Sequence, residues 1–293
     1  MKKLVYISGS GKSGSTLLDI ILGDTENAFS IGELNHLFRE GLIEKEYCTC
    51  NAIVKDCEIW NEVLFYWREK ATMSQKEYRQ FQIYYESKKQ ILKLLKELKN
   101  PSTKFTVFLN DTQILYNEIS KVSKCDILVD SSKSVARALI LNKIYTSDKL
   151  VVIHLIKRFS HVLNSNKKIV KKDIKQGIEF SRDKRKVSYV FYFLKIWLLE
   201  NIIIYKYLNK KRKVIPFEKY VKYTNDIVDM VYGRVENKKS IYNPKHMMAG
   251  NHMRMKKDIE INKNILKKPL SNLNQLDKII GQIVDATFYK YFL

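Results

Sequence analysis

Residues 4–23 read LVYISGSGKSGSTLLDIILG, and this stretch decides the fold. Leu4, Val5, Tyr6 and Ile7 form the short apolar run of a buried parallel strand, and Gly9 and Gly11 let the backbone turn sharply after it. A helix follows, with Ser15 or Thr16 as its cap, Leu17, Leu18, Ile20, Ile21 and Leu22 as a wide apolar face, and Gly23 as its stop. Gly11, Lys12, Ser13 and Gly14 therefore stand just ahead of a helix N-terminus. There the first backbone N–H groups have no internal partner and the helix dipole is positive, so an anion is favoured. Ser13, Ser15 and Thr16 add hydroxyl donors. Gly11, Lys12 and Ser13 match the second half of the nucleoside-triphosphate loop G-x-x-x-x-G-K-[ST], but Tyr6 stands where its first glycine would fall and Gly14 is unusual after the Lys-Ser pair. A phosphate or sulfate ester is expected at this turn; the alternative is an ordinary Gly/Ser connection between strand and helix.

The 293 residues are 45% hydrophobic and 12% aromatic, enough to bury a full core, which excludes a disordered chain and suits one α/β domain spanning 1–293. A formal charge of +22 implies attraction to anions, whether nucleotides, acidic polymers or, peripherally, membrane headgroups. Lys, Asn, Ile and Tyr are all abundant, so residue-usage bias also contributes to the charge, and no nucleic-acid function is expected. The N-terminal apolar run is too short for a secretory signal, and Lys195 and Glu200 interrupt the apolar segment Val187 to Leu208, which reads as a buried or surface-docked helix. A cytoplasmic location follows as the expectation. Cys48, Cys50 and Cys57 cluster while Cys125 stands alone, so no disulfide framework is implied. Their spacing fits no paired C-x-x-C scheme and no histidine lies between them, so no metal is expected.

Further along, Ala28 to Ile31 reads as a strand followed by Gly32, Glu33 and a helix from Leu34, which puts Glu33 at the C-terminal end of a strand, where open parallel sheets collect ligands. A helix N-terminal carboxylate is the other reading of Glu33. The chain reads as helical from Ile59 to Ser123, with Ser74 and Glu77 forming a capping box ahead of an amphipathic run to Leu98 and Pro101 marking a break. Asp126 to Val129 is the next strand, feeding the polar turn Asp130-Ser-Ser-Lys133 and a helix near Val135. Lys149 to Ile156 is the clearest strand, followed by Lys157, Arg158 and a helix carrying Ser160, Asn164 and Ser165. Lys167 to Lys186 reads as a charged, solvated loop, Lys213 to Phe217 as a last strand, and Leu270 to Phe288 as an amphipathic helix. The expected architecture is a doubly wound parallel sheet of about five strands flanked by helices, with a P-loop-like nucleotide-binding core and a helical insertion over about 40–124.

Taken together these motifs resemble the sulfotransferases that use 3′-phosphoadenosine 5′-phosphosulfate. Lys12 to Leu17 resembles that family's 5′-phosphosulfate loop, Gly14 included. Gly32-Glu33 resembles the Gly-Glu of the tyrosylprotein and related bacterial branches, in which the Glu is the catalytic base, and its spacing from Lys12 (33 − 12 = 21) suits them. Asp130 to Lys133 resembles the segment whose Lys reaches the sulfuryl group. Lys157 through Ser165 resembles the 3′-phosphate motif, with Lys157 where the family has Arg, and Gly250-Asn251 with Arg254 resembles the loop that closes over the nucleotide. The pattern of Cys48, Cys50, Cys57 and Trp60 also resembles bacterial members.

The resemblance implies Glu33 as general base, Lys12 and Lys133 as the groups that neutralise the sulfuryl and leaving oxygens, and Gly11 to Leu17 as the cradle of the 5′ end. It implies Lys157, Arg158, Ser165, Gly250, Asn251 and Arg254 around the 3′-phosphate, with no metal in the reaction. The acceptor would be a small molecule, glycan or peptide offering a hydroxyl or amine, shaped by the insertion. Two other classes fit the residues: a kinase or NTPase using Gly11-Lys12-Ser13 with magnesium, for which Asp130 is the one good strand-end ligand, and a non-catalytic basic anion binder. Should Glu33 not be the base, His36 or His252 is next.

Overall fold

The computed structural model describes residues 1–39, 45–175, 187–208, 212–234, 239–267 and 269–293. Five strands, β1 (Lys3–Ser8), β2 (Ala28–Gly32), β3 (Ile127–Lys133), β4 (Leu150–Ile156) and β5 (Arg212–Pro216), form one sheet in the order β2-β3-β1-β4-β5. Every pairing is parallel. The apolar run of β1 divides cleanly because successive side chains in a strand point to opposite faces. Leu4 and Tyr6 join the core under the helical insertion, whereas Val5 and Ile7 join the core under the first helix.

The helix α1 (Ser15–Gly23) that follows β1 packs on the second of these faces, with Leu18, Ile20, Ile21 and Leu22 buried. The helix after β3, Val135–Ile144, buries Ala138, Leu139 and Ile140 on the opposite face. Connections thus leave the sheet in both directions around β1. A crevice opens at such a reversal, at the carboxyl ends of the strands, and the Gly-rich turn lies in it. The α/β doubly wound sheet expected from the sequence is the fold.

Local readings differ in places. Helix α1 is capped by neither Ser15 nor Thr16: Gly14 is its N-cap, at φ 93°, and no side chain caps it. An added Cβ at Gly14 would lie 2.5 Å from the Tyr220 hydroxyl, so only glycine turns the chain there. Asp130 to Lys133 belongs to β3 itself rather than to a turn after it. The helix after β4, α2 (Phe159–Lys175), runs on through the first part of the expected charged loop, of which 176–186 lie outside the described residues. The C-terminal amphipathic helix is Gln275–Val284, continued by a π-turn over Asp285–Tyr289.

Among the described residues the insertion has four long helices, Glu58–Lys70, Gln75–Glu86, Ile91–Lys99 and Thr103–Ser123. The capping box at Ser74 and Glu77 is formed, and the break at Pro101 separates the last two. The apolar helix Val187–Leu208 passes by length and composition as a membrane span, alone among the described residues, yet Trp197 and Glu200 are buried and Lys88 bonds Glu200 at 2.5 Å.

The insertion is tied to the sheet by a buried ion pair. Arg137, fully buried on the helix after β3, donates from Nε to Glu86 Oε1 at 3.0 Å. Truncating one partner of such a pair leaves the other charge buried alone, which costs about 3–5 kcal/mol. Arg137→Ala should therefore lower the melting temperature strongly, and adding Glu86→Gln should recover part of the loss, both read by calorimetry. A loss no larger than that of a surface substitution would show that water reaches the pair.

Candidate functional site

Four adjacent strands each hand one charged residue to the same edge of the sheet. Lys12 follows β1, Glu33 follows β2, Lys133 ends β3 and Lys157 follows β4. All four line one cavity of about 660 Å³, together with Gly11, Gly14, Ser15, Thr16 and Leu17 from the turn and α1, Ser165 from α2, and Gly250 and Asn251 from the C-terminal loop. Residues singled out from five separated stretches of sequence thus meet around a single space.

Glu33 and Lys133 face each other across the ends of β2 and β3. Lys133 Nζ donates to Glu33 Oε1, and His36 Nε2 stands 3.4 Å from the other carboxylate oxygen. Burial would raise the Glu33 carboxyl, but the hydrogen bond from His36 and the charge and hydrogen bond of Lys133 outweigh it and hold it at about 2. Glu33 is therefore ionised throughout the neutral range. The backbone that presents it is constrained by Asp19 of α1, whose carboxylate accepts from Gly32 N at 3.1 Å, Ser30 Oγ at 2.5 Å and Ser131 Oγ at 2.6 Å. Gly32 has φ 87°, and a Cβ there would lie 2.4 Å from Ala249 O, so glycine lets the C-terminal loop press against the end of β2. Burial pushes the Asp19 carboxyl up to about 7, the hydrogen bonds from both serines only partly opposing it.

Lys12 and Lys133 share a feature the sequence hid: both are non-glycine residues at positive φ, 67° and 65°. Such backbone costs about 1–3 kcal/mol per residue and is found where the surroundings force it. Lys157 is buried, its Nζ 3.3 Å from Lys12 O and 4.3 Å above the Phe217 ring. Burial pushes its ammonium down to about 8, with Glu218 opposing weakly. Ser13 Oγ is fully buried without a partner, an orphan donor behind the α1 N-terminus. Thr16 Oγ1 accepts from Asn251 N at 3.2 Å and so fastens the C-terminal loop to α1.

Two residues expected around the 3′-phosphate stand elsewhere. Arg254 is buried with Nη2 bonded to Glu46 Oε1 at 2.5 Å, Tyr47 O at 2.8 Å and Met248 O at 3.2 Å, and it does not line the cavity. Arg158 lies 3.8 Å from Glu218 and lines a neighbouring 290 Å³ cavity. Ser165 lines the main cavity while its hydroxyl donates to His161 O at 2.8 Å within α2. Sequence reading named Asn164 on this helix without a site role and missed His161 and Lys168; all three line the cavity with Ser165. Their spacing of three and four residues was the available signal.

Asp130 is also placed by this geometry. Tyr116 donates to its Oδ2 at 2.5 Å, Ser132 donates to its Oδ1 from both N and Oγ, and it is wholly buried away from the cavity. Glu33 is the one carboxylate among the described lining residues.

No family model matches the sequence, and no curated protein matches it. Among solved structures, the chain is similar over 97% of its length to the sulfotransferase domain from the Synechococcus PCC 7002 olefin synthase, with 94% of that chain covered, a TM-score of 0.48 and 15% identity. It is also similar over 97% to the sulfotransferase domain from the curacin biosynthetic pathway, with 98% of that chain covered, a TM-score of 0.47 and 16% identity.

A carboxyl held at about 2 rather than its ordinary 4.5 adds stability that is full above pH 4.5 and lost as the pH falls toward 2. Lys133→Met removes one of the groups holding it down, so the Glu33 carboxyl should titrate closer to 4.5, followed by carbon NMR of the labelled side chain. The variant should also lose less stability than the parent between pH 4.5 and 2. A Glu33 titration unmoved by the substitution would mean that His36 alone holds the carboxylate.

Proposed function

We propose that the chain is a sulfotransferase that moves the sulfuryl group of 3′-phosphoadenosine 5′-phosphosulfate to a hydroxyl or amine acceptor. The observation that carries this reading is the joining, in one cavity, of a glycine-rich helix N-terminus, a cationic strand edge and a single ionised carboxylate. Sulfuryl transfer, like phosphoryl transfer, needs positioning and charge stabilisation more than covalent catalysis. In this reading the α1 N–H groups and Lys12 hold the 5′ end, with Ser13 buried behind them and outside the cavity lining, while Lys157, His161, Ser165 and Lys168 form a second anion pole for the 3′-phosphate.

Lys133 is the hinge of the mechanism. When it turns to the sulfuryl oxygens, Glu33 loses its ammonium partner, its carboxyl rises from about 2, and it becomes a better base in the same event that delivers the electrophile. The acceptor oxygen or nitrogen bonds to sulfur, the bond from sulfur to the 5′-phosphate oxygen breaks, and the acceptor proton passes to Glu33. Lys12 and Lys133 stabilise the charge that collects on the departing oxygen. A magnesium-dependent kinase is less well supported, because Asp130 is enclosed by Tyr116 and Ser132 and Glu33 is paired with Lys133 and His36.

Two experiments test this. Adenosine 3′,5′-bisphosphate should raise the melting temperature at concentrations well below those of magnesium-ATP giving the same shift, and Glu33→Gln should keep that binding while turnover falls about 10²- to 10⁴-fold. Stronger stabilisation by magnesium-ATP, or near-normal transfer by Glu33→Gln, would overturn the reading. The second concerns pH. With Lys157 free at about 8 and charged beside a bound phosphate, binding takes up a proton above pH 8. Affinity for the bisphosphate should therefore fall as pH rises past 8, by up to about tenfold per unit, and Lys157→Arg, which stays charged, should flatten this slope in calorimetric titrations. An equally steep slope in the variant would place Lys157 outside the phosphate site.

A further inference from the structure

The three cysteines that match no paired spacing meet a fourth ligand from far along the chain. Cys57 Sγ lies 3.3 Å from His246 Nδ1, across 189 residues of sequence, and 3.6 Å from Cys48 Sγ. With Cys50, the four donor atoms all lie within 4.8 Å of one another. Around a tetrahedral zinc with sulfur at about 2.3 Å and nitrogen at about 2.0–2.1 Å, ligand atoms stand roughly 3.5–3.8 Å apart, so the cluster is close to the size of a metal shell. It is too open for a disulfide, whose sulfurs sit about 2.05 Å apart, and all three thiols are free.

The surroundings hold these groups in place. Cys48 to Ala52 is a tight turn, with Asn51 N donating to Cys48 O at 2.9 Å, Cys48 N donating to Ala52 O at 2.9 Å, and Asn51 at φ 71°. Cys57 is the N-cap of the helix Glu58–Lys70, where a thiolate meets the positive end of the dipole. His246 has φ 51°, and Trp60 Nε1 donates to its carbonyl at 2.7 Å. Its remaining ring nitrogen, Nε2, stands 3.8 Å from Oε1 of the exposed Glu58, beyond hydrogen-bond distance.

We propose that Cys48, Cys50, Cys57 and His246 form a structural zinc site that staples the start of the helical insertion to the C-terminal loop. Three thiolates and one imidazole complete a tetrahedron, so the ion has no open position and takes no part in catalysis. Its role is mechanical. His246 is followed by Met247, which exchanges hydrogen bonds with Thr49, and the same loop continues to Gly250 and Asn251 in the cavity wall. Arg254, bonded to Glu46 and Tyr47, fastens the far side of the same junction. This proposal is independent of the transfer reaction and stands or falls without it.

The test uses the full chain, purified under reducing conditions without a metal-binding tag. Elemental analysis should give about one zinc per chain, and zinc withdrawn by a chelator should lower the melting temperature and return it on adding zinc alone. Replacing the ion with cobalt should produce the intense visible bands of a tetrahedral ion and a thiolate charge-transfer band. Cys57→Ser and His246→Ala should each cut the bound metal to about a tenth or less, whereas Cys125→Ser should leave it unchanged. The parent protein alone decides the matter if those variants fail to fold. No zinc, an octahedral cobalt spectrum, or a Cys48–Cys57 disulfide found by mass under reducing purification would each overturn the proposal.

Discussion

Glu33 and Lys133 hold one another across the ends of β2 and β3, and much of the site's design serves to bring these two opposite charges to one edge. A carboxylate and an ammonium taken half out of water need a partner, and here each is the partner of the other. Parallel strands make the encounter possible because their carboxyl ends all point one way. A residue just past one strand and a residue at the end of the next therefore become neighbours whatever their separation in sequence, 100 positions in this case. Lys12 and Lys157 reach the same edge by the same rule.

The surrounding structure can be read as support for that edge. Asp19 reaches from α1 to the end of β2 and to β3, so the helix that starts at the glycine-rich turn also sets where Glu33 stands. Gly32 and Gly14 permit two close approaches that any side chain would block, one by the C-terminal loop and one by Phe217 and Tyr220. Lys12 and Lys133 sit in backbone conformations that lysine does not choose unaided, which means packing energy elsewhere sustains their positions. The apolar cores on the two faces of the sheet supply it.

The C-terminal loop is the less obvious member of the design. Its residues reach the cavity through Gly250 and Asn251, where Thr16 on α1 holds it, and it is fastened outside the cavity by Arg254 to Glu46 and by the contact of His246 with Cys57. A loop that forms part of a cavity wall must be held firmly enough to keep its place without losing too much entropy when the cavity is filled. Anchoring it to the insertion also links the shape of the cavity wall to that of the insertion.

The amino-acid sequence by itself determined the parallel sheet, the glycine-rich turn ahead of α1 and the positions of Glu33 and Lys157 just past their strands, because strand and helix periodicity and Gly/Ser turn chemistry are local properties. Where a residue is half of a long-range partnership, local reading fails. Arg254 carries the right charge in the right order, but its direction is set by Glu46 and the Tyr47 and Met248 carbonyls, about which its neighbours in sequence say nothing. Asp130 ends an apolar run as a metal ligand would, and only Tyr116 and Ser132 reveal it as enclosed. His246 is 189 residues from Cys57, so no spacing rule could join them. Only the tertiary structure decided those partnerships, because a buried charge or thiol is satisfied by whichever group the fold brings near, and distance along the chain does not enter that energy.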